Sequence, residues 1–308
     1  MADINASMVK ELRDRTQAGM SDCKQALVEA SGDMEKAVEI ILKKGLVKAA
    51  SKAGRVAADG EIATCVAPDG KRGVIVEVNC QTDFVARGDD FKGFVQGVLR
   101  VAAKTAIGGD LLAQEFPGSG KTVDQVRAEM ISKTGENCVV RRWDALEAND
   151  KGGIVHSYVH AGGKLAVLLR AQGPDGAGAE YREFIDNAAM QVAAMRPAVV
   201  SSGEISPEEI AKQREIFEAQ LAEEKKPQAA WPKIIEGKLA KWYTEVTLLG
   251  QVNVWDPPAG SVDAVRQALA KKLGGDVKLI SFFRYELGEG IEKKKDDLAA
   301  EVAKMAGA

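Results

Sequence analysis

Gly73-Val74-Ile75-Val76-Glu77-Val78-Asn79-Cys80-Gln81-Thr82-Asp83-Phe84-Val85-Ala86-Arg87 is the segment from which the architecture of this 308-residue chain is most readily read. Its first half is a strand, with Val74, Val76 and Val78 on alternate positions. Upstream, Ile62, Thr64 and Val66 alternate with smaller residues, and Asp69-Gly70 marks a tight turn, so the two runs form a hairpin. Downstream, a helix is predicted to open near Asp89 or Asp90 and to bury Phe91, Phe94, Val95, Val98 and Leu99. The intervening turn carries an apolar Phe84 and Val85. Either Phe84 folds back as an anchor at the strand end, or a rigid strand and helix hold it out as a wedge against another molecule. Asp83 has two readings as well: an Asx-turn cap for the following backbone, or a partner for a cation elsewhere.

The same alternation of period organises the rest of the chain. Residues 1 to about 45 read as three short helices, with Ile4, Met8, Val9 and Leu12 on one face, and Cys23, Ala26, Leu27 and Ala30 on another. Ser21 is the expected N-cap of the second; Gly32 stops it, Asp33 caps the third, and Gly45 ends that one. Residues 46–56, Ala-rich and basic, read as a mobile linker. A helix is predicted near 123–133, with Cys138 to Val140 leading into a strand. A second hairpin follows (Ile154 to His160, turn at Gly162-Gly163, Leu165 to Leu169), then a helix from Glu180 to Met195. Two hairpin-plus-helix units imply two similar α+β subdomains, each an antiparallel sheet covered by helices. Ser206 to Leu249 reads as a helical hairpin broken at Lys226-Pro227, with Pro207 in the first turn. A strand from Val277 to Tyr285 and a charged helix from about 291 to 305 finish the chain.

Composition limits the function. A net charge of -3 with well-mixed acidic and basic residues argues against a protein that coats nucleic acid. No apolar run approaches the ~20 residues of a membrane helix. The four cysteines, at 23, 65, 80 and 138, are widely spaced inside apolar segments and read as small hydrophobes in a reducing cytoplasm. Gly118-Ser119-Gly120-Lys121-Thr122 resembles the end of a phosphate-binding loop, but Glu115 stands where that loop needs glycine, so a surface loop is expected. His156 and His160 fall on one strand face ~13 Å apart, too far to share a metal. Glu286 to Glu292 fits no calcium loop and reads as a turn. No catalytic, metal-binding or cofactor-binding residues are expected, and the chain does not read as an enzyme.

Several segments together resemble one family. Thr16-Gln17-Ala18-Gly19-Met20-Ser21-Asp22-Cys23-Lys24-Gln25-Ala26-Leu27 with Gly32-Asp33 is similar to the N-terminal signature of bacterial elongation factor Ts. Glu77 to Ala86 is similar to its second signature. Lys226-Pro227, Ile235-Glu236-Gly237-Lys238 and Phe283 to Glu292 follow in the family's order. Gln17 replaces the family's usual Gly, Gln191 its usual His, and the stretch 106–122 looks longer than common.

The resemblance implies an α+β protein with a three-helix, ubiquitin-associated-like domain at 1–45 and a linker at 46–60. It further implies core subdomains at 61–142 and at 143–202 with 250–287, a helical hairpin inserted at 203–249, and a short C-terminal helical module at 288–308. It implies a guanine nucleotide exchange factor for elongation factor Tu. Thr82, Asp83, Phe84 and Val85 would lie in the region that dislodges the partner's Mg²⁺, with Arg13 and Met20 as further contacts. No direct nucleic-acid or membrane partner is implied, whereas a homodimer and a 2:2 complex with the partner both stay open. The rival reading is a non-catalytic adaptor that tethers partners without altering their chemistry.

Overall fold

The computed structural model describes residues 4–16, 18–160 and 162–292. Three helices open the chain, α1 (Ala6–Thr16), α2 (Met20–Glu29) and α3 (Met34–Lys52). The first hairpin, β1 (Asp59–Val66) and β2 (Arg72–Cys80), leads into a short α4 (Asp83–Arg87), then α5 (Asp89–Ala102), α6 (Val123–Thr134) and β3 (Val139–Glu147). The second, β4 (Gly153–His160) and β5 (Leu165–Gln172), leads into α7 (Ala179–Met195), α8 (Pro207–Glu223), α9 (Trp231–Val246), α10 (Val262–Leu273) and β6 (Lys278–Glu286). The class is α+β, with two three-stranded antiparallel sheets ordered β1-β2-β3 and β4-β5-β6. The described residues form two compact units, one within 4–63, 76–143 and 286–292, the other within 64–75 and 144–285. The expected terminal helix, about 291 to 305, lies almost wholly outside the described residues.

The N-terminal helices close on Val9, Leu12, Cys23, Ala26, Leu27, Ala37 and Ile41. Asp33 caps α3 as expected, its Oδ1 accepting the Glu35 and Lys36 amides at 3.1 Å each. Two boundaries differ from expectation. The extended backbone that starts α2 is at Gly19, one turn position before Met20, so Ser21 lies inside the helix. Helix α3 runs through Gly45 to Lys52, in place of the first part of the expected linker. The reason is tertiary: Gly45 is buried on α6, where a β-carbon would meet Ser132 Oγ at 3.4 Å. Packing of α3 on α6 carries the helix through this glycine instead of ending at it.

The two sheets are built alike, from a hairpin, following helices and a returning third strand, with α5 and α6 in the first matched by α7 and α10 in the second and the α8–α9 pair standing between. The likeness reaches side-chain detail. Thr122-Val123-Asp124 and Ser261-Val262-Asp263 open α6 and α10, each with a hydroxyl N-cap. Arg127 bonds Asp124 at 2.6 Å and the Cys138 carbonyl at 3.2 Å. Arg266 bonds Asp263 at 2.7 Å and the Val277 carbonyl at 2.7 Å. Both helices end at a left-handed glycine, Gly135 and Gly274. Helix α10 was not anticipated from the sequence, although Val262, Val265, Leu269 and Leu273 recur at helical spacing and pack on the second core.

In the first sheet α5 lays Phe91, Phe94, Val95 and Val98 into the core. Phe116 stacks on Phe94 with centroids 5.9 Å apart, over Gly97, where a β-carbon would come within 1.9 Å of the ring. In the second, Val167, Leu169 and Ala171 meet Tyr181, Phe184, Ile185 and Val192 of α7. Helices α8 and α9 pair around their own small core of Leu221, Ile235 and Leu239. Ser206 caps α8, with Pro207 in its first turn.

Candidate functional site

The segment after β2 is not an irregular turn. Cys80 is buried, and its thiol donates to the Thr82 carbonyl at 3.2 Å. Thr82 then caps α4, its Oγ accepting the Val85 amide at 3.3 Å. Ala86 turns inward, Val85 is half-buried, and Phe84 stands 87% exposed. The anchor reading of Phe84 is thereby excluded. Asp83 is exposed in the first turn of α4 and pairs with Arg87 at 2.8 Å, so the capping role falls to the Thr82 hydroxyl instead. Gly88 breaks α4 from α5 with an extended backbone, and Asp90 bonds Lys133 of α6 at 2.8 Å.

The carboxylate of Glu136 lies across the approach to this short helix. Its Oε2 accepts the Gln81 and Thr82 amides at 3.1 and 3.0 Å, and its Oε1 accepts the Thr82 hydroxyl at 2.6 Å. Burial pushes the Cys80 thiol up to about 12, so beneath the loop it is a neutral packing group.

Deeper in β2, which is buried along nearly its whole length, Glu77 carries a charge inside the sheet. Its carboxylate accepts from Arg141 at 2.9 Å, Arg142 at 2.6 Å and the Gly288 amide at 2.9 Å. Burial acts to raise its pKa, but the Gly288 amide and the two guanidiniums win and hold it below the usual carboxylate range. Arg141 also reaches the Glu289 carbonyl, and Arg142 the Glu286 carbonyl at 3.2 Å. Gly288 adopts φ +71°, pressed so close to the Ala58 carbonyl that a β-carbon would sit 2.6 Å from it. The expected turn at Glu286 to Glu292 is thus locked through Glu77. The sequence does not signal this pairing, because Glu77 alternates with Val76 and Val78 as a solvated strand residue would.

Comparison with known proteins gives this arrangement its context. The family model described as elongation factor TS matches residues 81–289. Elongation factor Ts of Nitratiruptor sp. is 46% identical over 301 residues, covering 97% of this chain and 98% of the relative. That of Clostridium perfringens (strain SM101) is 42% identical over 306 residues, covering 99% of each. That of Rhodospirillum centenum is 43% identical over 315 residues, covering both in full.

The chain belongs to the elongation factor Ts family. Membership implies a nucleotide-exchange role in translation elongation. Of the residues that the elongation factor Ts signatures single out, Thr82, Asp83, Phe84 and Val85 share α4 and its cap. Arg13 lies exposed on α1 and Met20 is 46% exposed at the start of α2. Gln191 is fully buried. Its amide donates to Gln251 Oε1 at 3.0 Å and to the Val252 carbonyl at 3.1 Å, and its oxygen accepts the Val254 amide at 2.9 Å. It is a structural pin for the 251–254 segment. The Gly118–Thr122 stretch is a turn in which Phe116 N–H bonds the Lys121 carbonyl at 2.7 Å, while Lys121 pairs with Glu129 at 2.5 Å. His156 bonds Asp186 at 3.0 Å and His160 bonds the Tyr158 hydroxyl at 3.0 Å. Among the described residues no helix is long and apolar enough to cross a membrane.

Proposed function

We propose that this chain is the guanine nucleotide exchange factor for elongation factor Tu: it binds the GDP-bound GTPase, displaces Mg²⁺ and promotes GDP release so that GTP can rebind. The observation that carries the reading is Phe84, 87% exposed on a five-residue helix whose cap and approach are hydrogen-bonded, in a member of this family. A large aromatic ring left in water on a fixed support costs the free protein apolar burial, which docking recovers. GDP is held by its phosphates and by the ion that neutralises them, so moving the elements around that ion weakens nucleotide without contact to the base. The effect is reciprocal, because GDP weakens the factor's binding by the same ratio. Thousandfold faster release requires ~4 kcal/mol of barrier lowering. Burial of one Phe ring supplies ~1.5–3 kcal/mol. Other contacts therefore share the work, and Arg13 and Met20 are exposed for it.

The deciding experiment is stopped-flow release of fluorescent GDP from elongation factor Tu, chased with unlabelled GDP, at substoichiometric factor. Acceleration is expected, and Phe84→Ala is expected to lose most of it while keeping partial binding. A complex that forms without faster release makes the chain an adaptor.

A further inference from the structure

We infer that Glu136 is a positioning residue for exchange, holding the Phe84-bearing helix in its working geometry. The inference rests on the wedge reading above. Helix α4 spans five residues, far below the length at which an isolated helix is stable. Phe84 cannot anchor it, because its ring is in solvent. What holds it is the buried Ala86, the half-buried Val85, the Asp83–Arg87 pair on the surface, the Cys80 thiol on the Thr82 carbonyl and the Thr82 cap, and the cap is organised by Glu136.

One carboxylate takes the hydroxyl proton of Thr82 and the main-chain protons of Gln81 and Thr82. With its hydroxyl proton directed at Glu136, Thr82 Oγ presents lone pairs to the Val85 amide, one residue beyond Phe84. The direction of the ring is thus fixed from a residue 54 positions along the chain. Glu136 is itself rigidly placed. It follows Gly135, the left-handed terminus of α6, and its amide donates to Thr134 Oγ1 at 3.2 Å. The next residue, Asn137, is buried and donates to the Arg55 carbonyl at 2.9 Å. Hydrogen bonds to a charged acceptor are the strong kind, and three of them converge on this group.

The test compares Glu136→Gln, Thr82→Val and Phe84→Ala. For each, the GDP-release rate is measured against factor concentration, giving a plateau and a half-saturating concentration, and amide hydrogen exchange is followed over residues 81–87. Glu136→Gln keeps one acceptor but loses the carboxylate's second oxygen. It is expected to lower the plateau about tenfold, the scale of one lost charge-assisted hydrogen bond, with the half-saturating concentration little changed. Faster exchange is expected at Gln81 and Thr82 while β2 stays protected. Thr82→Val, which retains both main-chain donors, is expected to lose less in the same direction. A full plateau for Glu136→Gln beside a lost one for Phe84→Ala overturns the role of Glu136 and leaves the wedge. A full plateau for Phe84→Ala overturns the wedge. A loss that appears only as weaker half-saturation, or only with deprotection of β2, assigns Glu136 to binding or to folding and overturns the positioning role.

Discussion

Replacing Phe84 with alanine removes a ring that is 87% exposed, so the fold is expected to notice little. A change within about 0.5 kcal/mol in urea unfolding is the expected outcome for a surface side chain, beside a large loss of exchange. Coupled losses in both would return Phe84 to the role of an anchor. Glu77 is the opposite case, a fully buried acid on which two arginines and the Gly288 amide depend. Glu77→Gln leaves those cations underpaired and is expected to cost ~3 kcal/mol at pH 7. Its folded pKa lies below the ordinary 4.5, so the contribution is complete above that value and is lost as pH falls through the lower folded one. Urea midpoints of the parent and Glu77→Gln should therefore converge as pH falls through the lowered folded pKa of Glu77; a constant gap would show that the charge is immaterial. Phe84 was visible in the sequence as a misfit, an aromatic in a turn, whereas Glu77 alternates with Val76 and Val78 as a solvated strand residue would and its burial emerged only on folding. Glu136 was not visible either, because a carboxylate after a helix looks like any solvated surface residue until the chain folds.

Helices and strands were legible wherever one face is buried against a regular partner. Hairpins β1–β2 and β4–β5, helices α5 and α7 and the pair α8–α9 all lie close to where period and capping put them. Boundaries moved where packing overrode local chemistry, as at Gly45, whereas α10 was missed although Val262, Val265, Leu269 and Leu273 mark its apolar face between the Ser261 and Gly274 caps. Helices α8 and α9 carry their own core, and the chain on either side is stitched together: Leu248 N–H bonds the Val199 carbonyl at 2.9 Å and Leu249 N–H the Val200 carbonyl at 3.0 Å. Because those ends are already adjacent, bridging them with a short linker closes only a small loop. Excision of 203–246 with a Gly-Ser bridge is expected to leave a cooperatively folding protein whose Tm is within about 5 °C of the parent. Calorimetry showing a broad, non-cooperative transition would mean the pair supports the core.

Across the whole molecule, the four cysteines report where each segment lies relative to solvent. Cys23, Cys80 and Cys138 are buried, whereas Cys65 is exposed, against the expectation that all four behave as core hydrophobes. The alternation of β1 put Cys65 on a strand but not on its inner face. Burial raises the Cys23 and Cys138 thiols, the latter to about 11, so their reactive thiolates are scarce at neutral pH. Iodoacetamide at pH 8 is expected to modify Cys65 in the native protein and the other three only after denaturation; early labelling of Cys138 would contradict the burial of the β3 approach. The chain's own order of residues carries the α+β class, the two hairpins, the inserted helical pair and the family signatures, because period, caps and turns are local properties of a polymer. Folding alone settled that Phe84 faces solvent, that α4 replaces a turn, that Gln191 is a buried pin, and that Glu136 and the Glu77 cluster join residues far apart in sequence. Those outcomes depend on which faces are covered and which charges meet, and long-range contacts leave no periodic mark on the segments that make them.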